Sequence, residues 1–371
     1  METARLKQML NKVLMKSSFN KEYMKKAVLT YPPLSITIGV TSACQNKCRF
    51  CSYHGEDAKG NSKVYGLPFM LSLEDFKRIV DMATRDGVGH IHVCGTGEPF
   101  ANPAILDMLD YVIKTYGKVS FQTNFWKTLF DRKGYLDEII KRADKISFIA
   151  TDVCSGSPEE HEYIKQGGSY EELLDALEYI AKRCNIEIRP FLILTRSHYK
   201  NIKVIIDQFL ERGITNFRLT IGNLLSYDYS EFTSSDNVYI STDYEIRQVL
   251  EETVAYGREK GILVSIPQPA DKTEKMCSVF WDKFQTWPVQ GCEKEHYGEN
   301  MIPHACAAVV KGELNSLGYL FDYDSIMDAW NSPKLVEIRK NLLEGKYPSE
   351  YCKKCYCYSA KDSYYKQKVK A

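Results

Sequence analysis

Residues 34–53 read LSITIGV followed directly by TSACQNKCRFCSY, a β-rich run and then three cysteines spaced C-x3-C-x2-C at Cys44, Cys48 and Cys51. Three thiolates from one short loop suit one face of a cubane iron–sulfur cluster, and no fourth cysteine lies nearby to close the shell. An iron left without a protein ligand is free to bind a small molecule. Structural zinc prefers paired C-x2-C knuckles and a closed set of four ligands, which this loop does not supply. The loop also follows a strand directly, the position at which parallel barrels carry their active sites.

From Leu34 onward, strand-like and helix-like patterns alternate. SLEDFKRIVDMATRDG (72–87) predicts a helix opened by a Ser72-x-x-Asp75 cap and closed by Gly87. Further strands are predicted at HIHVCG (90–95), KVSFQTN (118–124), KISFIATD (145–152), IEIRPFLILT (186–195) and NFRLTIG (216–222), each after a helical segment. Six βα units in series force parallel pairing. Periodicity leaves two arrangements open: a closed or partly closed barrel, and a doubly wound open sheet. Several strands alternate apolar with polar, where strands buried on both faces are apolar throughout. If the apolar members face the helices, Gln122, Asn124, Asp152, Arg189 and Arg218 point inward and line a polar lumen. The alternative is that they face water at a sheet edge.

The flanks differ from this middle. The first 30 residues predict a basic amphipathic helix with Leu6, Met9, Leu10, Val13 and Leu14 on one stripe, ended by Pro32-Pro33. After about residue 270 the rhythm stops. The expected organisation is therefore an N-terminal segment (1–33), a βα domain (34–270) and a cysteine-rich module (271–371).

Composition narrows the functional classes. Lys+Arg number 49 against 48 Asp+Glu, a formal charge of +1, which argues against broad electrostatic binding of nucleic acid. No stretch reaches the roughly 18–20 uninterrupted apolar residues of a membrane span, so no membrane is expected. The N-terminus lacks the marks of a secretory signal, and the default compartment is the reducing cytoplasm. There the twelve cysteines read as metal ligands, catalytic groups or buried residues rather than as disulfides.

The C-x3-C-x2-C loop, with Phe50 before its last cysteine, resembles the radical SAM superfamily. Gly95-Thr96-Gly97-Glu98-Pro99 is similar to that family's GxGEP motif. The resemblance implies a partial (β/α)6 TIM-like barrel and a [4Fe–4S] cluster on Cys44, Cys48 and Cys51. It also implies S-adenosylmethionine chelated to the open iron and cleaved reductively to a 5′-deoxyadenosyl radical. The GxGEP segment would contact the methionyl ammonium. FQTN (121–124) is similar to a third-strand "TNG" segment, with Phe125 replacing the glycine, and brings forward Gln122 and Asn124. ISFIATD resembles a ribose-contacting strand, bringing forward Thr151 and Asp152. IKQGGSYEELLDAL is similar to an "RGxGSF" segment, with Lys165 at or near the arginine.

The C-terminal module is similar to the SPASM and shorter Twitch extensions, in which a "diWnsp…lR…p..C..C" segment completes an auxiliary [4Fe–4S] cluster. The implied ligands are Cys277, Cys306, Cys352 and Cys355, with Cys292 an alternative to Cys277. A zinc site on the same cysteines is the competing reading. Such a second cluster accepts an electron in oxidative chemistry. The resemblance thus implies oxidative modification of a C–H bond in a peptide or small polar metabolite, with flavodoxin or ferredoxin as reductant. Two other readings remain: a redox-neutral epimerase in which Cys154 returns a hydrogen atom, and a non-enzymatic iron–sulfur carrier. Cys154 otherwise reads as a buried bystander. Arg189 and Arg218 are candidate clamps for a carboxylate or phosphate. The roughly 30 residues before the first strand are too few for a leader-peptide-binding domain of about 80 residues, which removes one mark of a peptide substrate but not the possibility.

Overall fold

The computed structural model describes residues 26–51, 54, 70–95, 97–223, 243–267 and 320–348, and the backbone at 283–288 and 301–303. In chain order the elements begin β1 (Ser35–Gly39), α1 (Leu73–Asp86), β2 (Ile91–Cys94), α2 (Ile105–Tyr116) and β3 (Val119–Gln122). There follow α3 (Lys127–Lys133), α4 (Tyr135–Lys141), β4 (Ile146–Asp152), α5 (Pro158–Ile164), α6 (Tyr170–Ala181) and β5 (Ile188–Leu194). The series continues through α7 (Ile202–Glu211), β6 (Arg218–Asn223), α8 (Tyr244–Glu259) and β7 (Leu263–Ser265). It closes with β8 (Lys283–Pro288), β9 (Met301–Pro303), α9 (Ile326–Trp330) and α10 (Pro333–Leu343). All six expected strands form within a residue or two of their predicted bounds.

Two compact units divide these elements. The first takes residues 1–43, 66–119 and 270–359, and the second takes 44–65, 120–269 and 360–371. In the first unit β1 pairs in parallel with β2, from Ile36↔Ile91 to Gly39↔Cys94, and on its other edge with β8. Strand β9 then runs antiparallel to β8. Residues 283–288 thus supply a sheet strand that the sequence pattern did not predict. KFQTWP escapes a periodicity reading since it is short, isolated and not followed by a helical pattern. In the second unit β4, β5, β6 and β7 pair in parallel in sequence order.

Local chemistry explains where the helices begin and end. The Ser72 hydroxyl accepts the Asp75 backbone N–H at 3.0 Å, and Gly87, at φ +81°, ends α1 in the left-handed conformation. Phe76, Ile79, Val80 and Ala83 form the buried stripe of that helix. Ser157 and Ser169 cap α5 and α6 in the same way. On β5 the expected alternation holds: Ile188, Leu192 and Leu194 are buried, while Arg189 and Ile193 are half-buried. On β3 it does not, because Ser120 is as buried as Val119 and Phe121. Among the described residues no helix is long and apolar enough to cross a membrane.

The expected N-terminal helix falls mostly on residues 1–25, outside the described residues. The described part, 26–33, is not helical. Its backbone is engaged elsewhere: Leu29 N–H donates to Asn331 Oδ1 and Leu29 O accepts from Asn331 Nδ2, both at 2.8 Å. Arg339, fully buried, donates to Ala27 O at 3.1 Å and Trp330 O at 2.7 Å, with its guanidinium 4.6 Å over the Trp330 ring. The DAWNSPKLVEIR segment (328–339) therefore holds the chain that leads into β1. Arg339→Ala removes this donor from the Trp330 and Ala27 carbonyls and opens a cavity, and should cost about 3 kcal/mol or more. Urea unfolding would read this as a lowered midpoint, and Arg339→Lys should recover only part of it, since an ammonium does not span both carbonyls.

Candidate functional site

The chain leaves β1 through Thr41, Ser42 and Ala43 before reaching the cysteines. In the first unit Gly97 N–H donates to Thr41 O at 3.1 Å, and Glu98 N–H donates to Ala43 O at 2.7 Å. The two backbones touch so closely that a Cβ on Gly95 would stand 2.6 Å from Thr41 O, and one on Gly97 2.1 Å from Ala43 O. Glycine is required at both positions by this contact. Thr96 lies outside the described residues. Glu98 is fully buried, and its Oε1 accepts the Phe100 N–H at 3.0 Å as Pro99 opens a short 3-10 turn. Asn102, which the sequence did not bring forward, donates to Val40 O and Leu71 O at 2.9 and 3.0 Å, tying down the end of β1.

The cysteine loop itself belongs to the second unit, where residues 164–168 hold it. Lys47 N–H donates to Gln166 O at 2.8 Å and Arg49 N–H to Ile164 O at 2.9 Å, while Cys51 N–H turns back to Cys48 O. Gly167 has φ +87°, and a Cβ there would stand 3.0 Å from Gln45 O. The Gly167-Gly168 pair is thus the mark of the loop's close approach. Asn46 is fully buried against these glycines, and neither its amide nitrogen nor its oxygen has a partner. Arg49 stacks 4.1 Å over the Tyr163 ring.

Strand ends of the same unit converge on this loop. Thr123 N–H donates to Ala150 O at 3.0 Å, joining the end of β3 to β4. Gln122 Nε2 donates to Asp152 Oδ2 at 3.1 Å, and the buried Lys165 Nζ to Asp152 O at 3.0 Å. Asn124 Nδ2 faces Cys44 Sγ at 3.8 Å. Thr151 Oγ1 is buried with no partner. Cys154 N–H donates to His161 Nδ1 at 3.3 Å.

Burial dominates the electrostatics here. It pushes the Cys48 thiol well above the ordinary cysteine range; Lys165 pulls it down, while Cys154, Cys51 and Asp152 add to the rise. Burial likewise raises the Asp152 carboxyl, against Lys165 and the Gln122 hydrogen bond. The Cys154 thiol is pushed up to about 12 by burial, with Lys165 opposing and Asp152 reinforcing the shift. Cys154 is therefore a neutral S–H at physiological pH.

Three of the expected sets have different outcomes. Cys44, Cys48 and Cys51 are half-buried on one loop, but among the described residues no three Cys, His, Asp or Glu side chains stand close enough to share an ion. Arg189, at the second position of β5, pairs with Glu187 and stacks 3.6 Å over Phe148; Arg218 opens β6, half-buried and with no ion pair among the described residues. Cys277, Cys292, Cys306, Cys352 and Cys355 lie outside the described residues. The fit of an iron–sulfur cluster and its ligand rests on three points: the three soft sulfur donors on one loop, the unpartnered Asn46 amide, and the unpartnered Thr151 hydroxyl.

Two measurements check this account. Gly97→Ala should destabilise the protein by about 1–3 kcal/mol, read as a lowered melting temperature, because backbone rather than side chain must move. His161 and His198 are both buried, and burial lowers their pKa values to about 2 and about 4. Ile193 O can only accept, so His198 Nε2 carries the proton and Nδ1 accepts from the Thr195 hydroxyl at 2.6 Å. Both rings are neutral in the fold and become protonated on unfolding below the ordinary histidine pKa. The unfolded chain then binds more protons, so stability falls as pH drops from about 6.5 toward 4, by about 1.4 kcal/mol per unit for each ring. The urea midpoint should fall between pH 7 and 5, and His198→Asn should flatten that slope.

Comparison with known proteins agrees with this geometry. Residues 38–202 match the Radical SAM superfamily. Over 351 residues the chain is 24% identical to the antilisterial bacteriocin subtilosin biosynthesis protein AlbA of Bacillus subtilis (strain 168), covering 91% of this chain and 70% of AlbA. The crystal structure of Streptococcus suis SuiB superposes with a TM-score of 0.62 at 16% identity, over 84% of this chain and 69% of SuiB. SuiB has also been crystallised with S-adenosylmethionine and with the precursor peptide SuiA. Native anSMEcpe with bound AdoMet gives a TM-score of 0.61 at 19% identity, over 91% of this chain and 95% of its own. The fold shared with these structures is the TIM-like partial barrel, which excludes the doubly wound sheet. Residues 38–202, with their three-cysteine loop and glycine-rich second-strand turn, are a radical SAM domain.

Proposed function

We propose that this radical SAM enzyme modifies a C–H bond of a peptide oxidatively, by dehydrogenation or cross-linking. The observation that carries the proposal is the three-cysteine loop, pinned by its own backbone beside the polar ends of β3 and β4. Cys44, Cys48 and Cys51 would hold a [4Fe–4S] cluster; Gly95, Gly97, Glu98 and Pro99, with Gln122, Asn124, Thr151 and Asp152, are the proposed contacts of S-adenosylmethionine. Bound there, the pair supplies a 5′-deoxyadenosyl radical able to take an unactivated hydrogen atom. The protein's own part is to orient and exclude water: Thr151 offers a buried hydroxyl without a partner, and Lys165 holds the Asp152 carbonyl and sets the charge around Cys48.

A peptide is favoured over a small polar metabolite because the relatives concerned are a bacteriocin biosynthesis protein and a protein crystallised with a precursor peptide. Cys306, Cys352, Cys355 and either Cys277 or Cys292 are the proposed ligands of an auxiliary [4Fe–4S] cluster of SPASM or Twitch type, accepting the second electron. Flavodoxin or ferredoxin is the proposed reductant, and the cytoplasm the proposed compartment.

Anaerobic reconstitution with iron, sulfide, reductant and S-adenosylmethionine should yield 5′-deoxyadenosine, and Cys44→Ala should lower that yield at least about a hundredfold. Yields equal in the two proteins would overturn the proposal. Iron should approach about eight atoms per chain in the wild type and about four once Cys352 and Cys355 are replaced by alanine.

One observation favours a second reading. Cys154 is buried as a neutral thiol and is electrostatically coupled to Cys48, so it has a hydrogen atom to return in a redox-neutral epimerisation. Turnover in deuterated water separates the two: an epimerase places one solvent deuterium at the inverted carbon, and a dehydrogenase places none.

A further inference from the structure

Among the described residues Phe125 is the one non-glycine with a positive φ, +53°. For an L-residue carrying a bulky side chain this conformation is strained, and it persists only where the surroundings impose it. The surroundings here are explicit. The Phe125 ring is buried, 5.5 Å from the Phe130 ring, which in turn meets Tyr135 edge-on at 5.5 Å. It helps line a cleft of about 370 Å³ with Phe130, Leu136, Ala176 and Tyr179. The Phe125 N–H donates to Thr123 Oγ1 at 3.1 Å, and the Thr123 N–H donates to Ala150 O. The family's glycine has been replaced, but the backbone shape a glycine would permit has been kept.

The residue between these two anchors is Asn124, whose Nδ2 faces Cys44 Sγ at 3.8 Å. As a thiol, Cys44 donates to Gln45 Oε1, also at 3.8 Å. As a cluster ligand it is a thiolate and can only accept, and then the Asn124 amide is the donor in place. A carboxamide does not titrate, so this donor is present at every working pH. Hydrogen bonds to the sulfurs are among the determinants of iron–sulfur reduction potential, because they draw charge from the ligand and favour the more negative, reduced state.

We infer that Asn124 raises the reduction potential of the proposed cluster through an N–H···S hydrogen bond to Cys44, and that Phe125 is its positioning residue. The inference rests on the cluster proposed above. The backbone hook 123–125, closed by two hydrogen bonds and the buried ring, holds the amide at that sulfur.

The test uses the full chain with its cluster reconstituted, titrated potentiometrically and read by electron paramagnetic resonance. Asn124→Asp keeps the shape and removes both N–H donors, and Asn124→Ala removes the group. At a fixed potential both should lower the ratio of reduced to oxidised cluster about tenfold, equivalent to about 59 mV for a one-electron couple. Asn124→Gln should recover part of the loss. Phe125→Val, which removes the ring and resists a positive φ, should lower the potential as Asn124→Ala does. Unchanged potentials in the Asn124 variants, with clusters assembled normally, overturn this inference alone. Failure of the wild-type protein to assemble any cluster overturns it together with the reading beneath it. If Asn124→Asp fails to hold a cluster, a normal potential in Asn124→Ala still overturns it.

Discussion

The candidate site depends on two backbone hydrogen bonds, from Lys47 N–H to Gln166 O and from Arg49 N–H to Ile164 O. A loop that presents three thiols cannot also spend its backbone on a helix or a sheet of its own, yet its polar groups still require partners. The 164–168 segment supplies them. That contact brings the chain so near that only glycine fits at 167, and it draws Lys165 into the interior with the Asp152 carbonyl. The first unit solves the same problem with its own backbone, through Gly97 and Glu98 against Thr41 and Ala43. Both glycine-rich segments are therefore consequences of steric closeness to the chain around the cysteines.

Lys165 is the main counterweight to burial in the local electrostatics. Cys48, Asp152 and Cys154 are all pushed toward their neutral forms by burial, and in each case Lys165 is the largest influence in the other direction. His161 lies within the same field and stays neutral, partly for that reason. Lys165 thus offsets part of the effect of burial on each of the three groups. Removing one negative group there raises the hold of the lysine on the others, so their substitutions should not be additive.

Much of this was legible in the sequence, for identifiable reasons. The strands from β1 to β6 announced themselves by β-branched and aromatic runs between capped helices, and Ser72 and Gly87 bound α1 as their chemistry requires. Gly95 and Gly97 were brought forward by their resemblance to a family motif, and the structure adds that close backbone contact accepts no other residue there. The sequence pattern missed β8, since KFQTWP lacks the alternation of a half-buried strand and the length of a buried one. It extended a helix through residues 26–30, because periodicity says nothing about a distant Asn331 that claims the Leu29 backbone. Asn46, Asn102 and His161 were not brought forward, for a related reason: a buried polar side chain is significant through partners far off in sequence, or through having none.

The pairing of residues 27–29 with Asn331 and Arg339 bears on how the protein is made. Strand β1 has one edge partner, β2, soon after it is synthesised, but its other, β8, follows only after roughly 240 further residues. The Ala27 and Leu29 backbone waits longer still, for α9 and α10. On the ribosome the second unit has all of its described strands before β8 exists, so it is free to fold first. The first unit closes only once residues 326–343 have been made, around a strand whose following loop carries the three cysteines.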